Sequence, residues 1–269
     1  MTPGRYTAVV LAGDRGPADP IAAATGAPCK ALSPVGGQPL LARVLDTLRA
    51  TPAIEAIVVV GPADTIVAAE PALAQMLADN TIHWVAPADS PAASAVRGLA
   101  HVADDWPVLL TTADHALLEP RMIEELLADP SGDIGVGLVE YAAVRQAYPD
   151  NRRTAIRLGP GSGYCGCNLF TLHTLAARRL VATWQRVERE RKHPARVIAG
   201  MLGPLAVLRY LLGRLTLVQA FDKLSRRVEL NIRPVLLSQP QAAVDVDSLA
   251  DLALVESILA RRPVPDRSP

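Results

Sequence analysis

The sequence predicts a Rossmann-like three-layer α/β/α domain with a mostly parallel central sheet, and three observations predict it. Apolar runs of strand length recur at residues 6–12, 54–61 and 107–112. Between them lie segments whose apolar residues repeat at helical spacing, as at Leu40, Leu41, Val44, Leu45 and Leu48. Half of the 269 residues are hydrophobic but only 4% are aromatic. The core is therefore built from Ala, Val, Leu and Ile, the usual filling of parallel strands covered on both faces.

Taken in order, the first strand (6–12) ends at Gly13, and 13–29 reads as a loop rich in Gly, Pro, Ala and Asp. A helix is predicted from near Pro39, a strand over 54–61, a helix over 65–79 and a short strand over 82–86. The next helix starts near Ser90, with Pro91 in its first turn, and runs through Ala100. A strand over 107–112 runs into Ala113-Asp114-His115, followed by a helix over 119–128 and a strand over 134–141. This alternation is the mark of strands joined by crossover helices.

From about Thr171 to Arg233 the pattern is mainly helical, with 13 Lys/Arg against 4 Asp/Glu. Its apolar stretch 198–208 is flanked by Arg196, Arg209 and Arg214, which interrupt any window long enough to span a bilayer. A strand resumes over 234–238, and a final helix over 245–260 is entered through acidic residues that suit its N-terminal dipole. The predicted organisation is a core of 1–170 plus 234–262, a basic helical insertion over 171–233, and a tail over 263–269.

Zero formal net charge argues against a surface made for nucleic acid. Three cysteines form no disulfide framework, and Cys165 and Cys167 lack the further ligands of a zinc set. No export signal is visible at the N-terminus, so a reducing, cytoplasmic setting is expected.

Four pieces bear on chemistry. Leu11-Ala12-Gly13-Asp14-Arg15-Gly16 follows the first strand, with Lys30 downstream; glycines admit an anion to backbone N–H groups, and Arg15 and Lys30 offset phosphate charge. Neither a dinucleotide fingerprint nor a Walker loop is present. Asp114 stands past the carboxyl end of a buried strand, the edge where ligands of open α/β sheets gather. Asp245-Val246-Asp247 supplies two more carboxylates at a helix start, and Ser90 and Ser94 place hydroxyls at another. Taken singly, each is also explained as a plain turn or a helix cap.

Their order carries more. The succession L-A-G, K-A-L-S-P-V-G-G-Q-P-L-L, S-P-x-x-S-x-x-x-G-L, T-T-A-D-H, G-C-N-L-F and D-V-D-S-x-x-D-L resembles the MobA-like nucleotidyltransferases, over roughly 6–170 and 235–259. That group includes molybdenum-cofactor guanylyltransferases, cytidylyltransferases of isoprenoid synthesis and sugar-phosphate nucleotidyltransferases. The resemblance implies a GT-A-like fold and Mg²⁺-dependent transfer of a nucleotidyl group from a nucleoside triphosphate to a phosphorylated acceptor. It implies that Leu11, Ala12, Gly13, Asp14 and Arg15 cradle the triphosphate, with Ser90 and Ser94 beside the nucleotide. Lys30, Arg15 and Asp114 would act on the transferring phosphate. Asp114 would be the principal Mg²⁺ ligand, with Asp245 or Asp247 completing the site and Asn168 in the acceptor pocket. Asp14 and the long stretch before Lys30 depart from the family's opening and leave the role of Arg15 open.

A GT-A-type glycosyltransferase and a non-catalytic nucleotide-binding module are the competing readings. Residues 171–233 could serve as a cap over the acceptor site, a homodimer interface, or a surface for anionic lipid.

Overall fold

The computed structural model describes residues 5–13, 18–150, 153–190 and 209–261. Its centre is an eight-stranded sheet. β1 (Tyr6–Leu11) lies between β4 (Ile54–Val60) and β6 (Val108–Thr112), and β5 (Ile82–Val85) closes one edge. Beyond β6 come β9 (Gly163–Leu172), β7 (Ile134–Glu140) and β10 (Ile232–Leu236), with the short β8 (Ile156–Arg157) paired to β9. β1, β4, β5 and β6 pair in parallel, as do β7 and β10; β9 runs antiparallel to both β6 and β7. Parallel pairing aligns the carboxyl ends of β1, β4 and β6 at one edge: Leu11 is in register with Val60 on one side and Thr112 on the other.

The period of two in each strand sends alternate residues to opposite layers. Ala8, Val10, Ile57 and Val59 face α2 (Leu40–Arg49), α4 (Pro71–Leu77) and α6 (Pro120–Leu127). Val9, Val58 and Val60 face α5 (Pro91–Leu99) and α8 (Leu175–Glu190), with Phe221 and Leu224 of α9 (Leu217–Val228) beside them. These are the three predicted layers. Helix α5 comes close to the sheet because Gly98 has no side chain: a Cβ there would stand 2.6 Å from Val60 Cγ2 and 2.8 Å from Val9 Cγ1. At the carboxyl edge, α1 (Pro20–Thr25) and α10 (Leu249–Ala260) pack on each other through Ile21, Val246 and Val255.

Several elements differ from expectation, among them the final helix, which starts at Leu249 rather than at 245. The helix expected over 65–79 is two, α3 (Asp64–Ala69) and α4, because Pro71 drives Glu70 out of the helical region, to φ −118° and ψ 91°. The loop expected over 13–29 contains α1, capped by Asp19, whose Oδ1 accepts from Ile21 N at 2.9 Å, and ended by Gly26 in the left-handed conformation. A further helix, α7 (Tyr141–Ala147), follows β7 directly. β9 was not expected either: its buried residues Cys165, Cys167, Leu169 and Thr171 alternate as a strand requires, but small and polar neighbours hide the pattern.

The 171–233 segment begins inside β9 and ends inside β10. Ala177 and Val181 of α8 are core residues, and buried Arg178 donates to the carbonyls of Val102, Ala103 and Trp106. The described parts of α8 and α9 thus form part of one helical layer. The apolar stretch 198–208 and the tail fall outside the described residues.

Candidate active site

The site is built on the carboxyl edge of the sheet, where the strand ladder continues past β1. Ala12 N donates to Val60 O at 2.9 Å, and Ala113 N donates to Leu11 O at 2.9 Å. Gly61, at φ 96°, lies so close that a Cβ would stand 2.8 Å from Ala12 C, Ala12 O and Gly13 N. The Leu11-Ala12-Gly13 backbone is therefore seated against Gly61. Opposite it lies the Ala86-Pro87-Ala88 loop, with Pro87 Cβ 3.4 Å from where a Gly13 Cβ would be. Asp14 and Arg15 lie outside the described residues.

The two serines are placed differently from one another. Ser90 caps α5, accepting from Ala93 N at 3.2 Å. Ser94 is buried and turned into the neighbouring loop, accepting from Ala88 N at 2.9 Å and donating to Ala88 O at 3.4 Å. Arg97 ties the same loop through the carbonyls of Ala86 and Pro87, at 3.1 and 2.7 Å. In this geometry Ser94 and Arg97 shape the wall facing Gly13.

Lys30 lies on a 3₁₀ turn (Lys30–Leu32) anchored on either side by the buried Cys29 and Ala31. Its Nζ reaches Asp114 Oδ2 at 2.6 Å and Asp247 Oδ1 at 2.9 Å. Burial opposes the ammonium charge, but the two carboxylates outweigh it and hold Lys30 above the ordinary lysine range. Asp114 Oδ1 accepts from Thr112 Oγ1 at 2.6 Å. The TTADH and DVDS segments, 130 or more positions apart in sequence, thus meet around one ammonium; the backbone joins them too, Val246 N donating to Asp114 O at 3.1 Å.

Asp245 faces elsewhere. Its carboxylate pairs with Arg153, which also bonds its carbonyl and reaches Asp251 Oδ1 at 3.4 Å. Asn168, on β9 with φ 49°, donates from Nδ2 to Asp245 Oδ2 at 2.7 Å. The amide expected in an acceptor pocket is committed to a carboxylate of the DVDS segment. Arg153 escaped the sequence reading: it belongs to no motif, and its partners are set by tertiary approach.

His115, beside Asp114, is fully buried. Desolvation pushes its imidazole down to about 4, the charge of Asp114 pulling upward and that of Arg153 adding to the fall. Neither ring nitrogen makes a well-formed hydrogen bond, although the Ala242 backbone faces the ring. It is neutral near pH 7 and sealed from solvent.

Among the described residues no group of three or more His, Cys, Asp or Glu side chains could hold a metal ion, and all three cysteines are buried and outside any disulfide. Asp114 and Asp247 still fit Mg²⁺, which uses one or two carboxylates and takes its other oxygens from phosphates and water. No helix among the described residues is long and apolar enough to cross a membrane.

Comparison with known proteins bears on the fold and the family. No curated protein matches the sequence. A solved structure described as a hypothetical transferase from Thermus thermophilus is 28% identical, with a TM-score of 0.75 over 92% of this chain and 99% of its own. A 4-diphosphocytidyl-2C-methyl-D-erythritol synthase from Anaerococcus prevotii shares the fold at 11% identity, TM-score 0.57, covering 96% of this chain and 100% of that one. So does a CMP:2-keto-3-deoxy-manno-octonic acid synthetase complexed with CTP, at 15% identity and TM-score 0.58, covering 95% and 98%. The family model of the MobA-like NTP transferase domain matches residues 8–207, from β1 through Asp114 and Asn168, though it stops short of Asp245 and Asp247. With most of its length matched, the chain belongs to the MobA-like NTP transferase family and is a nucleotidyltransferase.

Proposed function

We propose that the protein transfers a nucleoside monophosphate from a nucleoside triphosphate to a phosphorylated small molecule, with release of pyrophosphate. The observation that carries this reading is the meeting of Lys30, Asp114 and Asp247 at the sheet edge that also holds Gly13. The Leu11-Ala12-Gly13 backbone cradles the triphosphate, and the Ala86-Pro87-Ala88 loop walls the nucleoside. An acceptor phosphate oxygen attacks the α-phosphorus in line. The new P–O bond forms as the bond from the α-phosphorus to the bridging oxygen breaks, and pyrophosphate leaves with that electron pair.

Asp114 and Asp247 would hold Mg²⁺, which when bound neutralises phosphate charge and aligns the oxygens. Lys30, at the same carboxylates, would offer its ammonium to the transferring phosphate, where charge develops. The nucleophile arrives anionic, so no side-chain base is required. His115, next to Asp114, is buried at 1% exposure and so is not open to an acceptor, which favours an anionic nucleophile over an alcohol that must be deprotonated. The chain's own work is alignment and charge compensation.

A pyrophosphate-release screen of the four triphosphates with Mg²⁺, against phosphorylated alcohols and sugars, tests the reading. Release that depends on both a triphosphate and a phosphorylated acceptor supports it. Turnover of a sugar nucleotide without pyrophosphate release would instead identify a GT-A-type glycosyltransferase.

A further inference from the structure

The stretch from Asp245 to Ser248 is fastened at each successive residue. Asp245 is held by Arg153 and Asn168, and Val246 by the Asp114 carbonyl. Asp247 is held by Lys30, and Ser248 caps α10 while its Oγ donates to Asp251 Oδ2 at 2.7 Å. Arg153 is the one member contributed by the connection between α7 and β8. It is largely buried, and it spans both Asp245 and Asp251, on either side of Asp247.

Resting on the metal reading above, we infer that Arg153 is a positioning residue, acting through Asp245 to aim Asp247 at Asp114. Its guanidinium neutralises the first carboxylate of the DVDS segment and fixes the turn. The second carboxylate is thereby the one presented to a divalent cation. The charge arithmetic agrees. Were Asp245 also free, three carboxylates would crowd one lysine; paired with Arg153, it leaves two, a number suited to Mg²⁺ with substrate phosphate. Asn168 supports the same arrangement from β9. It does so from a left-handed backbone, φ 49°, a conformation asparagine tolerates better than most residues. Supporting partners of this kind typically change metal affinity by about 10–100-fold.

The test is a double-mutant cycle on Mn²⁺ binding, followed by electron paramagnetic resonance on the full chain without nucleotide. Arg153→Met should weaken Mn²⁺ binding by about tenfold or more, and Arg153→Lys, which keeps the charge but not the fork, should fall between. In an Asp247→Asn background, Arg153→Met should change nothing further, because its effect runs through Asp247. Equal weakening in both backgrounds, or none in a folded Arg153→Met protein, overturns the inference. Should Arg153→Met fail to fold, Arg153→Met/Asp245→Asn removes the stranded charge and must still bind Mn²⁺ weakly; binding at the wild-type level overturns the inference. Failure of the metal reading itself looks different: Asp114→Asn and Asp247→Asn would then both bind Mn²⁺ as the wild type does.

Discussion

Lys30 Nζ lies 2.6 Å from Asp114 Oδ2 although 84 residues separate the two in sequence, and the same nitrogen reaches Asp247 Oδ1 at 2.9 Å. The ammonium thus lies between the two carboxylates proposed above to hold a divalent cation. An ion pair this well buried is held by geometry and by its second partner, since desolvation works against both charges.

Replacing Lys30 with Met should therefore act in opposite directions on two measurements. Without nucleotide, Mn²⁺ affinity should rise, because the competing internal cation is gone. Nucleotidyl transfer should fall by about a hundredfold or more, because the charge that serves the transferring phosphate is gone. Mn²⁺ affinity that stays level or drops would contradict the exchange of lysine for metal.

Gly61→Ala should loosen the nucleotide loop from a distance. The new Cβ would meet the Ala12–Gly13 backbone at 2.8 Å, and φ 96° is unfavourable for alanine. Strain of about 1–3 kcal/mol is expected, which lowers Tm by several degrees in a protein of this size. Triphosphate affinity should fall with it, read by titration well below Tm. An unchanged Tm would show that Gly61 does not support that backbone as described.

The thiols should be inert in the native state. Burial pushes the Cys165 thiol up, only partly offset by Arg153, and pushes Cys167 up further. A raised thiol pKa means less thiolate at pH 8, and Cys29 is equally inaccessible. A thiol reagent should label all three cysteines in denaturant and, in the native protein, only as fast as the chain unfolds. Rapid native labelling of any one would show that β9 or the Lys30 turn is more open than described.

Much of this was legible beforehand because the informative features were local. The runs at β1, β4 and β6 marked the buried strands, Gly13 and Asp114 stood at their ends, and helices α2 and α6 showed one apolar face. Lys30, Asp114, Asp245 and Asp247 all stand in motifs visible in the sequence. That Asp245 pairs with Arg153 while Asp247 pairs with Lys30 was not readable, because these partners are reached only by folding. β9 was hidden because its alternation runs through cysteine, asparagine and glycine. That the Ser94 hydroxyl is bonded to the Ala88 backbone was likewise not readable, because the 86–88 loop approaches it only in the fold.

In the proposed reaction Asp114 supports transfer through a divalent cation shared with Asp247. The rate of pyrophosphate release by Asp114→Asn across a Mg²⁺ titration, with the fold checked by circular dichroism, tests this. A rate lower by at least about a hundredfold, a barrier increase of roughly 2.7 kcal/mol or more, is expected, and added Mg²⁺ should not restore it. A folded Asp114→Asn protein turning over at the wild-type rate with the wild-type Mg²⁺ dependence would contradict it.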